Sequence, residues 1–239
     1  MSRPDGTNRR SLIRSVTVVV ALSVFGGPAF SQDMIIHLPM DDLDSSNAAI
    51  GGSPRMYVKT GEATPQVVPG KIGQAIEFDS RAVIALPFDL NHNDYPAVTI
   101  TAWVRQGLAT SGTRAILSSG SDAGARLGVN GGRLAVKAGR TGVSFDRDMP
   151  KAEWVFVAAV IDVQNGYARL HQDDAVFVRE GIDTYEENGG KQPYVFVGGH
   201  QFRTWQQTAR RLTIDDVRVY AGVLSPRQID ELRSKAQPR

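Results

Sequence analysis

The 239-residue chain contains no cysteine. That excludes disulfide bonds, a cysteine nucleophile, thiolate metal sites and a lipid-anchored cysteine at the start of a processed chain. It also lacks any apolar run close to the roughly 20 residues that a membrane-spanning helix needs. From Met34 to Tyr220 no long run of helical period occurs. Catalytic signatures are missing as well: there is no Gly-x-Ser-x-Gly elbow, and His37, His92, His171 and His200 have no metal-ligand spacing such as His-Glu-x-x-His. Retaining glycosidases need two carboxylates facing one cleft, about 5–5.5 Å apart. No strand-like segment carries Glu-x-Asp-x-Glu, Glu186-Glu187 sits in a polar loop, and the other glutamates stand alone.

Excess positive charge is absent where it would matter. The formal charge of +2 counts 27 basic against 25 acidic residues, but four arginines and one aspartate lie in residues 1–31. The rest of the chain keeps 23 and 24, a net of −1. It has no electrostatic field for nucleic acid or an anionic membrane.

What is present begins with a distinct N-terminal segment. Arg9, Arg10 and Arg14 precede an apolar run from Val16 to Val24, then Gly26-Gly27-Pro28 and the small-residue exit Ala29-Phe30-Ser31. This describes a signal peptide over residues 1–31, with cleavage before Gln32 and a periplasmic or secreted product. Asn8-Arg9-Arg10-Ser11-Leu12-Ile13-Arg14 fits the twin-arginine pathway, which exports folded proteins, and an ordinary secretory signal fits too. Residues 32–233 are expected to form one domain, and 234–239 a polar tail.

Short apolar segments punctuated by Gly, Asn, Asp and Pro predict an all-β, two-sheet antiparallel sandwich. Leu127 and Val129 alternate into Asn130-Gly131-Gly132, and Leu134 and Val136 alternate out, which reads as a hairpin. Asn165-Gly166 joins Trp154–Asp162 to Tyr167–His171, and Gln172-Asp173-Asp174 leads on to Ala175–Val178. Trp154–Asp162 is apolar on both faces, so it is expected to be a central strand covered twice. Val98–Arg105 turns Val98, Ile100, Ala102 and Val104 to the core; Trp103, on its other face, is either covered or displayed. Ser225, Pro226 and Gln228 open a short C-terminal helix with a capping box, and Ile229 and Leu232 supply its apolar stripe.

Four segments, in order, resemble the laminin-G-like jelly-roll domains of the concanavalin A-like lectin/glucanase superfamily. They are the glycine-punctuated Gly70–Asp79, the Thr-x-x-x-Trp-Val strand Val98–Arg105, the Trp-x-x-Val-Ala strand from Trp154, and the closing segment Ile214–Tyr220 with its helix. The resemblance departs from the family pattern at Asp173-Asp174, where a turn often has Asp-Gly, and at Met40 on the first strand, where the family tends to an aromatic. It implies a jelly-roll sandwich. It also implies calcium as a possible cofactor, held near the first and last strands by Asp41, Asp42 and Asp216, since hard cations take carboxylate oxygens. A second reading competes: the apolar residues change face at Asp215-Asp216, which implies a bulge whose aspartates accept backbone hydrogen bonds.

For a ligand surface, the connection Gly198–Gln207 combines aromatic, amide and guanidinium groups, the mixture that stacks on a sugar ring and reads its hydroxyls. His200, Gln201, Arg203 and Trp205 are its candidate binding residues, with His92 and Tyr95 in the connection Asn91–Pro96 as a second set. Phe202 and Trp205 folded inward as a plug is the competing reading. The expected function is a non-catalytic module binding glycan or an extracellular protein surface. A structural or adhesive interaction domain is the alternative, and a polysaccharide-cleaving enzyme the third.

Overall fold

The structure, a computed structural model, describes residues 33–43, 54–108, 112–120, 125–138, 141–182, 193–200 and 208–235. The described strands begin with β1 (Met34–Leu38), β2 (Arg55–Val58), β3 (Gln66–Pro69), β4 (Gln74–Phe78) and β5 (Ala82–Leu86). Next come β6 (Ala97–Gln106), β7 (Thr113–Ser119), β8 (Arg126–Asn130), β9 (Arg133–Ala138) and β10 (Thr141–Asp148). The chain continues through β11 (Trp154–Asp162), β12 (Tyr167–Gln172), β13 (Ala175–Glu180), β14 (Val195–Val197) and β15 (Leu212–Ala221) to helix α1 (Pro226–Lys235).

These form two antiparallel sheets. One runs β13-β12-β11-β6-β15-β4-β3, with β1 also paired to β15; the other runs β10-β9-β8-β7-β14-β5-β2. Their inner faces meet in one core that includes Ile76, Phe78, Ile100, Val104, Leu117, Leu127, Val157, Leu170, Ile214 and Val217. The expected two-sheet sandwich is therefore what the chain forms.

Local chemistry sets the hairpins. Gly131 and Gly132 both take positive φ, 59° and 95°, and form the two-residue loop between β8 and β9. Asn130 is paired with Arg133 rather than sitting in the loop. Asp162 ends β11 by accepting from the Asn165 backbone and side chain. Asp173, at φ 52°, turns β12 into β13 and accepts from the Phe156 amide.

Sheet faces follow the two-residue period. On β11, Val155, Val157, Ala159 and Ile161 enter the core, while Phe156, Ala158 and Val160 join a second cluster on the outer face with Trp103, Tyr220, Leu224 and Ile229. Helix α1 covers that cluster through Ile229, so β11 is covered on both sides and Trp103 is buried against Phe156 at 5.3 Å. The capping box forms as expected: the Ser225 amide donates to Gln228 Oε1, and the Gln228 amide to Ser225 Oγ.

Strand β15 has an unusual flank. Its first half, Leu212–Ile214, pairs with β4, and its second half, Val217–Tyr220, pairs with β1. The register against β6 shifts between Asp215 and Arg218, and Asp216 adopts φ 47°. The expected bulge thus lies where the two partner strands meet end to end.

Candidate functional site

The aspartates at that junction are engaged by the protein itself. Asp215 is fully buried, and its Oδ2 accepts from the Lys71 and Ile72 amides at 2.7 and 2.8 Å. Asp41 Oδ1 accepts from the Gln74 amide at 2.8 Å. Asp216 Oδ1 meets His37 Nε2 at 2.8 Å and Arg218 Nη2 at 2.9 Å. The Asp215 and Asp41 contacts satisfy amides in the turn that leads into β4, and Asp216 ties β1 to β15 through the His37 and Arg218 side chains. Among the described residues no group of three or more His, Cys, Asp or Glu side chains is placed to hold a metal ion. Asp41 and Asp215 accept from backbone amides, as the backbone-acceptor reading expects, and Asp41 and Asp216 lie close enough to Asp215 for their charges to act on it. Burial pushes the Asp215 carboxyl up to about 6, against the pull of its two amide donors.

The ligand candidates divide. Gln201, Arg203 and Trp205, with Phe202, lie outside the described residues. His200, immediately before them, is buried on the outer face of the second sheet. Its Nε2 is 2.7 Å from Arg126 Nη2 and its Nδ1 is 3.4 Å from Ser118 Oγ, which donates to the Gly199 carbonyl. A guanidinium only donates, so Nε2 accepts, and the ring anchors the start of the connection. His92 and Tyr95 line a narrow, mainly apolar crevice of ≈ 10 Å³. That is about the volume of one water-sized probe and far below a sugar ring. Tyr95 packs on Phe88 at 5.6 Å.

An open concave surface lies at the other end of β6, about 30 Å away along its ten residues. There a pocket of ≈ 380 Å³ is lined by Glu77, Asp79, Arg105, Gln106, Gly107, Leu108, Ala152, Arg211 and Thr213. Sheet register builds its polar wall. Glu77 pairs with Thr213, Thr213 with Arg105, and Arg105 with Trp154, so one row of outward side chains crosses four adjacent strands. Thr213 Oγ1 lies 3.4 Å from Glu77 Oε1, and the Arg105 guanidinium stacks 5.1 Å from the Trp154 ring centroid. Leu108 stands at the rim, 75 % exposed.

Three chain segments close the floor. The Gly107 amide donates to the Arg211 carbonyl and the Ala152 amide to the Gln106 carbonyl, both at 2.8 Å. Gln106 is locked from behind: its Nε2 donates to the Met149 carbonyl at 2.6 Å, and its Oε1 accepts from buried Arg114 at 3.3 Å. Ala152 and Arg211 hold left-handed backbone, φ 59° and 62°. Such strain costs on the order of 1–3 kcal/mol per residue and clusters where structure serves a ligand. Alternation places Glu77, Thr213 and Arg105 on outer faces from sequence alone, but nothing in sequence makes β4, β15 and β6 neighbours.

The two sheets form a jelly-roll sandwich with an open pocket at one end. Residues 78–230 match a laminin G domain family described as the concanavalin A-like lectin/glucanases superfamily, and the chain belongs to that family. Among solved structures it is similar to domain 4 of AbnA, an extracellular GH43 arabinanase from Geobacillus stearothermophilus in complex with arabinotriose. The identity is 19 %, the TM-score 0.64, and the match covers 84 % of this chain and 98 % of that one. The receptor-binding domain of botulinum neurotoxin C/D mosaic serotype is similar at 16 % identity and TM-score 0.61, covering 84 % of this chain and 51 % of that one. A structure of botulinum neurotoxin type C, whose cell entry depends on two ganglioside molecules, matches at 14 % identity and TM-score 0.58, covering 86 % and 51 %. This chain thus spans about half of those toxin domains. No curated protein sequence matches. No helix among the described residues is long and apolar enough to cross a membrane.

Proposed function

We propose that the protein is an exported module that binds carbohydrate without cleaving it, through the pocket at the Gln106 end of the sandwich. The observation that carries this reading is the pocket itself: an open concavity of ≈ 380 Å³ whose wall offers carboxylates and guanidinium groups at the end of a sheet. Few, fixed polar groups in a concave site are what orient a small ligand. The arabinotriose complex and the ganglioside-dependent toxin, both built on this fold, support the ligand class. Export rests on the segment pattern of residues 1–31, and a processed chain starting at Gln32 is the mass it predicts.

A glycan array probed with the protein, followed by titration of the best ligand, tests the reading. Arg105→Ala is expected to weaken that ligand at least tenfold, because a hydrogen bond to a charged group is worth about 1.5–3 kcal/mol. No reducing sugar should be released. Unchanged affinity in Arg105→Ala would move the site elsewhere, and sugar release would make the protein an enzyme. Adhesion to a protein surface is the second reading. It is favoured by Val176 and Val178, 49 % and 53 % exposed on edge strand β13, and binding to a protein array with none to glycans would select it.

A further inference from the structure

From the charge pattern of the same pocket we infer its ligand class: a short, uncharged saccharide rather than one bearing uronate, sialic acid or sulfate. The inference rests on the glycan-binding reading and adds to it. Two carboxylates, Glu77 and Asp79, and two guanidinium groups, Arg105 and Arg211, line one pocket, so their formal charges cancel. Each sugar hydroxyl both donates and accepts, whereas a carboxylate only accepts and a guanidinium only donates. A polyol bridging the two kinds of group satisfies both at once.

An acidic sugar satisfies only half the wall. Its carboxylate or sulfate would meet Arg105 and Arg211 but sit within the same small space as Glu77 and Asp79, where like charges repel. Charge-assisted hydrogen bonds from neutral hydroxyls carry no such opposition. The order along the sheet fits this reading: acceptor Glu77 and donor Arg105 flank buried Thr213, on successive strands about 4.8 Å apart. Arg105 is a binding residue already in place, because the Trp154 ring holds its guanidinium at 5.1 Å, which lowers the ordering cost on association. Trp154 is its positioning residue. Size agrees, since ≈ 380 Å³ is near the lower limit of ligand pockets, about 300–1,000 Å³.

The test is a titration of the full chain with matched pairs of oligosaccharides, neutral and uronate- or sulfate-bearing, at about 0.15 M salt. Neutral members are expected to bind at least tenfold tighter than their acidic counterparts. Asp79→Asn, at an exposed position that leaves folding intact, and Glu77→Gln should each narrow that ratio by admitting the acidic members. Trp154→Phe, which keeps a ring beneath Arg105, should retain the neutral preference, and melting curves should show all variants folded. Tighter binding of acidic members, lost in Arg105→Ala, would overturn the ligand class while leaving glycan binding intact. A neutral preference untouched by Asp79→Asn and Glu77→Gln would also overturn it. Binding of no glycan at all would instead overturn the reading beneath it.

Discussion

His171 and Asp215 are buried on the outer face of the same sheet and are shifted in opposite senses. Burial, reinforced by Arg169, lowers His171 to about 4 from an ordinary 6.5. The Arg169 Nε donates to its Nε2 at 3.0 Å, a bond that requires the neutral ring. The unfolded chain therefore takes up a proton here first, and this stability is present above about pH 6.5 and lost as the pH falls toward 4. Asp215, held up at about 6 against 3.8, works the other way. The folded chain binds its proton first, so this contribution to stability falls as the pH rises from about 4 to 6 and stays low above. Asp215→Asn should raise the melting temperature relative to the parent at pH 7.5 and leave it unchanged near pH 3.5; an equal effect at both pH values would refute the assignment. NMR titration should place the His171 midpoint near 4. The bulge at Asp216 was legible because apolar residues change face there. Its partners were not, because His37 lies 179 positions away in sequence.

Among the elements, those closed by local chemistry were the readable ones. The β8–β9, β11–β12 and β12–β13 hairpins and helix α1 depend on turn and cap residues within a few positions of each other. Their sequence signals survive into the structure, with a small shift: the turn after β8 uses Gly131-Gly132, both at positive φ, and Asn130 stays in the ladder opposite Arg133. Pairings such as β7 with β14 and β6 with β15 have no local signal, because they depend on which faces find each other after collapse. Helix α1 packs on the outer face through Ile229, with Leu232 beside it. Ile229 is 1 % exposed and packs into the cluster of Trp103, Phe156 and Tyr220. Ile229→Ala should cost about 2–4 kcal/mol in denaturant unfolding. A loss under 1 kcal/mol would mean the outer face holds without the helix.

At the scale of the whole molecule, the sandwich was legible and the pocket was not. Composition, turn spacing and two-face burial of Trp154–Asp162 all point to two packed sheets. The pocket is assembled from the ends of β4, β6 and β15 and the turn at Ala152, segments that sequence alone keeps far apart. Calcium reads differently at this scale as well. Asp41 and Asp215 at the β1–β4 junction already accept backbone amides of the protein. Stripping divalent ions with a chelator should therefore leave both melting temperature and glycan affinity unchanged, and a melting shift of more than about 2 °C on adding calcium would contradict it.

The divided flank of β15 has a consequence for how the chain is made. Residues 212–221 join β6 on one side to β4 and β1 on the other, so without them the sheet is two separate ribbons and an orphaned first strand. Synthesis runs from the N terminus, and this keystone emerges after the other described strands. The first sheet therefore closes only after residue 221 has been made, through contacts distant in sequence, which form slowly. A chain ending at Arg211 should remain protease-sensitive with no cooperative melting, whereas one ending at Ser225 should recover a cooperative transition at reduced temperature.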